Sequence, residues 1–443
     1  PHPHSDLHSR QSVYYPQDCF RSATRLPIHL YQILCISPLA QPKAPNKVKG
    51  VNYSLIISVV GVVLQVLMGV MSFIRLNTGG LSIFKSGSVL YFSGAALSRL
   101  LLIRLFAKWR SMLTHWEQVE GYIGEQKNLR VKFLVISVLV IVPGIVSHVV
   151  YLLYGFLWYH HLPRASMFQY YMVRKFPQVY DHIPYSLWSA GLVLLTNFAS
   201  NMTYCFVDQI ILMTSLALVG YFQQFNRILV KYKDQVLRPA EWKTLRMNYI
   251  RLCTLTSEVD DCICHLLCLT FIIHLYILCV YSHLVILNKT DHAERVHIIV
   301  SFTVTLSRFV ALCIATVRVY EESKAPLTVL YGVRHDSYCT EVELFTQQIL
   351  SNNICLSGSH IFSMNRNFLL TVRLDNSPIK VAVRVKTQKV HLRLWCRNLR
   401  YVKLSRVKIT FGSKLMYMGM GKPFPEWVSL GGSPGLPDRC CDH

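Results

Sequence analysis

Val51 to Ile74, Phe133 to Tyr159 and Cys262 to Asn288 each run for more than 20 residues without one Asp, Glu, Lys or Arg. At 1.5 Å per residue, about 20 apolar residues cross a hydrocarbon core of about 30 Å. In that solvent a backbone must satisfy its own polar groups, and a helix does so within one segment. Leu81 to Ile103 makes a further span, with Lys85 and Arg99 near its ends, where long stems reach back to the interface. Val296 to Val317 is another, with Arg308 inside it. Pro143-Gly144 predicts a kink in the span from Phe133.

From Tyr185 to Asn226 the only formal charge is Asp208. That is too long for one crossing, and no Pro-Gly or Asn-Gly turn separates two, so the pattern predicts one helix that crosses and runs on into water. The span from Cys262 is likewise preceded, from Glu241, by Leu245, Tyr249, Leu252 and Leu255 at helical spacing. The expected fold is an all-α, polytopic membrane bundle of six spans with protruding fourth and fifth helices.

Composition excludes other classes. The 443 residues are 52% apolar and only 16% charged, against about 25% in a soluble domain, and the mean hydropathy is +0.32. A net charge of +23 would suggest nucleic acid in a soluble protein, but here Lys and Arg follow the spans. Loops on alternate sides carry 22 and 7 of them, with the larger group beside the N-terminus. The positive-inside rule puts that terminus in the cytoplasm, so nucleic acid is not needed as a partner. Asn288-Lys289-Thr290 is then a glycosylation acceptor on the outer side.

An inside N-terminus disagrees with G-protein-coupled receptors, and neither an Asp/Glu-Arg-Tyr after the third span nor an Asn-Pro-x-x-Tyr occurs. The 14 cysteines include no CxxC pair, so Cys264 and Cys268 read as packed thiols and no metal is expected. No Gly-rich phosphate loop, His-Glu-x-x-His or Ser/Cys–His arrangement marks an enzyme or a cofactor site. The sequence starts at Pro1, so no signal peptide can be read, and Pro-rich residues 1–50 read as a mobile cytoplasmic arm.

Local words around these spans resemble the insect gustatory receptors, in particular their sugar-receptor branch. They begin with His115-Trp116-Glu117-Gln118-Val119-Glu120. Pro184-Tyr185, Asn197, Thr203-Tyr204-Cys205-Phe206-Val207-Asp208 and Phe222-Gln223-Gln224-Phe225-Asn226 follow. Next come Trp242 and Arg246-x-x-Tyr249-x-x-Leu252-Cys253-x-Leu255, with Glu258 and Asp260. The densest match is Glu321-Glu322-Ser323-Lys324-Ala325-Pro326-Leu327, Tyr338-Cys339-x-Glu341-Val342, Phe345-Thr346-x-Gln348 and Leu356-Ser357-Gly358. Order and spacing across roughly residues 100–370 carry the resemblance. One departure is Tyr204-Cys205, where the family has Trp-Asn.

The resemblance implies a tetrameric, ligand-gated, non-selective cation channel in the plasma membrane of taste-neuron dendrites, a homo- or hetero-tetramer with other gustatory receptors. Its ligand would enter the outer halves of the helices, and a seventh helix would line the pore. A sugar needs flat aromatic faces and a few amide, hydroxyl or carboxyl groups among apolar walls. The outer halves offer Tyr154, Trp158, Trp188, Asn197, Asn201, Tyr204, His274 and Tyr281, with Asp208 deeper. The alternative for the aromatics is an interfacial belt. Asn197 and Asn201, at i and i+4, share a helix face, and Arg308 is a candidate partner for Asp208. Glu321, Glu322, Lys324, Glu341, Phe345 and Gln348 would be gating or anchor contacts, unless the charges are only a solvated run.

The departure with the greatest consequence follows Phe368-Leu369-Leu370. Where the family has an apolar pore helix, this chain reads Thr371-Val372-Arg373-Leu374-Asp375-Asn376-Ser377-Pro378, and from Arg373 onward carries 14 Lys/Arg against 4 Asp/Glu. Such a tail cannot span. Its origin is read as readthrough or a gene-model artefact, or else as a divergent basic tail with little persistent structure. Runs such as Val381 to Val385 can make short strands. The expected organisation is a cytoplasmic arm (1–50), a six-helix transmembrane bundle (51–317), a cytoplasmic anchor with the start of a truncated seventh helix (318–370), and the basic tail (371–443). The functional expectation is a sugar-gated channel subunit. The alternatives are a pore-less receptor subunit, a non-functional truncated product or, with little support from repeats, a solute transporter.

Overall fold

A computed structural model describes residues 19–33, 53–78, 83–158, 164–233, 235–287 and 292–365, and three short strands beyond them. Eleven α-helices lie among the described residues: α1 (Phe20–Ile33), α2 (Tyr53–Thr78), α3 (Ile83–Ile123), α4 (Leu129–Trp158), α5 (Arg164–Lys175), α6 (Pro177–Tyr180), α7 (Leu187–Lys231), α8 (Pro239–Leu287), α9 (His292–Lys324), α10 (Pro326–Leu330) and α11 (Thr340–Ser351). Six of the described helices, α2, α3, α4, α7, α8 and α9, are long and apolar enough to cross a membrane. Asn288 lies outside the described residues.

The long runs from Tyr185 and from Glu241 are single helices of 45 and 49 residues. Ser186 starts the first as half of a capping box, accepting the Ser189 N–H at 3.1 Å while Ser189 Oγ accepts the Ser186 N–H. α3, expected to end near Ile103, continues to Ile123, so it too runs past the apolar span. α4 runs unbroken through Pro143.

Burial separates two kinds of helix. α2 and α4 turn Ile56, Val63, Val70, Phe73, Leu139 and Val146 outward, an apolar surface that water would not tolerate and hydrocarbon does. α7 has no such face over most of its length: from Met202 to Ser215 every residue is buried. A helix enclosed on all sides is a core helix, and α3, α4, α8 and α9 all pack on it.

The N-terminal stretch differs from expectation. Within it Phe20–Ile33 forms a helix whose Phe20, Ala23, Ile28 and Tyr31 are buried against α3 and α4. The word around Trp116 explains why. Phe20 stacks on Trp116 with centroids 3.7 Å apart and planes 8° apart. The Glu120 carboxylate accepts the Phe20 N–H at 2.8 Å and also the Tyr221 hydroxyl, and Glu117 pairs with Arg21 at 2.7 Å. Trp116, Glu117 and Glu120, within about one turn of α3, thus hold α1.

After α11 comes a two-stranded hairpin, β1 (Ser357–Gly358) with β2 (Phe362–Ser363). Beyond it β3 (Val372–Asp375) pairs antiparallel with β4 (Lys380–Val385), which pairs parallel with β5 (Thr410–Phe411). The run at Val381–Val385 is thus part of a strand, as such runs were expected to allow.

Phe20→Ala should lower the stability of the detergent-solubilised protein by about 3–5 kcal/mol, the range for deleting a buried aromatic ring. Thermal melting that is unchanged would mean that α1 is not part of the folded core.

Candidate functional site

The bundle has two ends. One carries α5 and α6 and is the side expected to face outward. The other carries α10 and α11 and is the expected anchor end. Towards the first end, polar and aromatic groups line the inner surfaces of the helices. Tyr204 Oη donates to the Tyr91 carbonyl at 2.6 Å, and Tyr91 Oη to the Asn197 carbonyl at 3.2 Å. This close approach needs Gly94, where a Cβ would stand 2.8 Å from Tyr204 Oη and 2.9 Å from Ile273 Cδ1. Gln65 Nε2 donates to Ser200 Oγ at 3.1 Å, and the buried Gln65 Oε1 has no partner among the described residues.

A second group joins α4 and α9. Ser147 and Ser301 hydroxyls are 3.2 Å apart, and Ser301 Oγ lies 3.3 Å from His297 Nδ1. The Tyr151 ring is 5.4 Å from that of His297 and 6.1 Å from that of His148. Lys175, the last residue of α5, holds its Nζ 4.0 Å from the Tyr151 centroid. Hydroxyls, imidazoles and aromatic faces are what a polyhydroxylated ligand requires.

The expected residues fall unevenly on this frame. Asn197, Asn201 and Tyr204 share the α7 surface, but Asn201 Nδ2 already donates to the Gly144 carbonyl at 3.0 Å. Trp188 stands off the bundle, 91% exposed, so it is not brought together with them. Tyr281 is half-buried in α8. Tyr154 and Trp158 belong to α4 by backbone, with side chains outside the described residues. Gln65, Tyr91 and His297 were missed; an amide and an imidazole in otherwise apolar runs were the available signals.

Deeper in the bundle Asp208 of α7 forms an ion pair with Arg308 of α9, and its Oδ2 lies 3.4 Å from His274 Nε2 on α8. The Asp208, Arg308 and His274 side chains are 1%, 11% and 5% exposed, and His274 Nδ1 bonds the Thr270 carbonyl at 2.9 Å. The pairing suggested by the sequence is therefore present, and it joins three helices. Among the described residues no three His, Cys, Asp or Glu side chains are placed to hold a metal ion.

At the anchor end the word Phe222-Gln223-Gln224-Phe225-Asn226 meets the word that starts at Glu321. Gln223 Nε2 donates to Glu322 Oε1 at 2.6 Å, Asn226 Nδ2 to the Glu322 carbonyl at 3.0 Å, and Arg318 lies 3.6 Å from Glu322. Lys324 Nζ donates to the Ile349 carbonyl and, at 2.8 Å, to that of Asn352. Arg246 pairs with Glu341 at 2.9 Å. Phe345 is fully buried, 5.3 Å from the Tyr249 ring and 6.4 Å from Phe225. Glu321 is exposed and Gln348 half-buried. Five of the six expected anchor residues thus lie on or beside the contact of α11 with α7, α8 and α9.

Comparison with known proteins adds three findings. Residues 3–374 match the sequence model of the trehalose receptor family. Relatives from Drosophila melanogaster include the gustatory receptor for sugar taste 64f, 25% identical over 65% of this chain and 63% of that protein. They also include the gustatory receptor for sugar taste 61a, 25% identical over 80% and 85%, and gustatory receptor 5a for trehalose, 24% identical over 61% and 62%. The chain thus spans somewhat less than two thirds of two of these relatives and most of the third. In fold it resembles the insect olfactory receptor OR5 from Machilis hrabei, with a TM-score of 0.61 and 12% identity, covering 79% of this chain and 94% of that one.

Removing one member of the buried pair strands the other charge, which costs about 3–5 kcal/mol, whereas replacing both with apolar groups is often neutral. Asp208→Leu and Arg308→Met should each sharply lower thermal stability, and the double variant should recover most of the loss. Additive losses in the double variant would show that the two charges do not depend on each other.

Proposed function

Since the chain belongs to the trehalose receptor family, within the sugar branch of the insect gustatory receptors, we propose that it is a sugar-responsive subunit of a ligand-gated cation channel in the plasma membrane. The observation that carries this reading is the family match over residues 3–374, which takes in the bundle, the anchor end and the hairpin after it. The fold shared with an insect olfactory receptor and the relatives' printed association with sugar taste support it.

In this reading the sugar sits toward the α5 end, among Asn197, Asn201, Tyr204, His148, Tyr151 and His297. Aromatic rings cover its C–H faces, and the amides, hydroxyls and imidazoles take its hydroxyl groups. The Asp208–Arg308 pair is the floor of this chamber and no ligand contact, because its groups already face each other. The N-terminus and the α10–α11 end lie in the cytoplasm, where anchor contacts between subunits hold a tetramer. Asn288 then lies outside the cell.

A second reading is favoured by the tail. The 14 basic residues from Arg373 onward forbid a seventh span there, since a central Lys or Arg costs about 2.5–3.5 kcal/mol. In this reading residues 373–443 contribute no pore helix, and the subunit assembles with receptors that supply one.

Expressed in insect cells, Asn288→Gln should remove a glycan while an N-terminal tag stays protected in intact cells; labelling of that tag from outside would reverse the topology.

The unmodified chain alone should give no sugar-evoked current. Replacing everything after Leu370 with the apolar pore segment of a sugar receptor should restore one. In that chimera Asn197→Ala, Asn201→Ala and His297→Ala test the pocket at constant surface expression. A buried hydrogen bond lost at the ligand costs about 1–3 kcal/mol, a dose–response shift of about 5- to 150-fold. Unchanged curves for all three would move the pocket elsewhere, and a current from the unmodified chain would overturn the reading of the tail.

A further inference from the structure

The chain between α11 and residue 366 is held by an unusual set of contacts. Asp260, 7% exposed on α8, accepts two hydrogen bonds from Ser357: from its N–H to Oδ1 at 2.6 Å and from its hydroxyl to Oδ2 at 2.7 Å. With that hydroxyl proton committed to Asp260, the 3.2 Å contact between Ser357 Oγ and His360 Nδ1 is a hydrogen bond donated by the imidazole. A chain His360 to Ser357 to Asp260 results. The Ser359 N–H adds a backbone bond to the Cys264 carbonyl at 3.0 Å, one turn further along α8.

The hairpin adopts a backbone that needs such fastening. Ser359 and His360 have φ of 50° and 56°, two consecutive residues in the left-handed region with no glycine to ease it. Gly358, just before them, has no room for a side chain, since a Cβ would lie 2.1 Å from the Phe362 ring. The Phe362 ring in turn stands 5.7 Å from Phe271 of α8, and Met364 is fully buried with its N–H on the Leu356 carbonyl at 2.8 Å. Strain of this kind persists only where the surroundings over-determine it.

On the other side the same segment is tied to α9. Lys324 caps the C-terminal carbonyls of α11, and Ser323 Oγ donates to the Ile354 carbonyl at 3.3 Å. The segment therefore bridges α8 and α9 just before the chain enters the stretch where the family carries its pore helix. We infer that Asp260 and Ser357 are positioning residues: their clasp fixes the point from which the following segment leaves the anchor, so that movement of α8 is transmitted to it. This rests on the channel reading for its purpose, but the clasp itself is tested without any current.

Cys264 supplies the readout, because its side chain is fully buried beneath this hairpin, with its Sγ 4.0 Å from His360 Nε2. In the full chain in membranes, labelling by a small membrane-permeant maleimide is followed residue by residue by mass spectrometry, with buried Cys205 of α7 as the control for global loosening. Asp260→Ala and Ser357→Ala should speed labelling of Cys264 about tenfold or more, the factor expected when a hydrogen bond to a charged group is lost, with Cys205 unchanged. Asp260→Asn, which keeps one acceptor oxygen for the Ser357 N–H, should fall between. If Asp260→Ala fails to fold, Ser357→Ala retains the backbone bond and decides the matter. Cys264 labelling that does not change, or that rises in step with Cys205, would overturn the proposal. Failure of the sugar-current experiment would leave this result standing, so the two readings fall separately.

Discussion

Asp208 sits on a helix that is enclosed by protein, in a bundle whose outer surface is apolar. A lone carboxylate there has no water to turn to. The α7 face that bears it must therefore meet Arg308 on α9 and His274 on α8. Once that face is fixed, so is the rest of the helix, because successive residues on a rigid helix turn by a set angle. Ser200, Asn201 and Tyr204, above Asp208, are turned towards α2, α4 and α3, and Gln223 and Asn226, below it, towards α9. The polar contacts toward the α5 end and the contacts with α9 at the other end are in that sense two ends of one constraint.

The anchor end is stabilised in a different way. There helices α7, α8 and α9 continue past their apolar spans and bury Trp242, Tyr249, Phe222, Phe225 and Phe345 between them. Tyr249 donates to the Ser323 carbonyl at 2.9 Å and Trp242 Nε1 to Ser337 Oγ at 3.3 Å. This is an aromatic core of the sort found in soluble helical proteins, with its polar tips satisfied. A bundle with an apolar outer surface is thereby joined to a base packed around aromatic rings.

Much of the fold was legible in the sequence because membranes impose simple rules. Stretches without charge had to be helices, and the run around Asp208, lacking a turn signal, had to be one of them. The docking of α1 was not legible. Its residues Phe20, Ala23, Tyr31 and Ile28 are spread through a Pro-rich segment of mixed polarity, and their partner Trp116 is about a hundred positions away. Among the site residues, the amides of α7 stood out, as polar groups in hydrocarbon do. Trp188 stood out equally, yet it is exposed, since an aromatic residue near a span's end serves an interface as well as a pocket. His297 passed unnoticed because it lies at the start of α9, where a polar residue needs no explanation.

By itself the sequence determined the six long apolar helices, that those around Asp208 and after Glu241 run past their spans, that the chain is a membrane protein, and, through words spread over most of its length, its family. Those properties follow from local composition and from the energy of charge in hydrocarbon. Only the tertiary structure decided that Asp208 meets Arg308, that Asn201 is tied to Gly144 of α4, and that Ser357 clasps Asp260. Each of those contacts joins residues tens to about a hundred positions apart, and rotation of a helix about its axis by one residue would abolish it. Periodicity specifies a face; packing against neighbouring helices selects which partner that face meets.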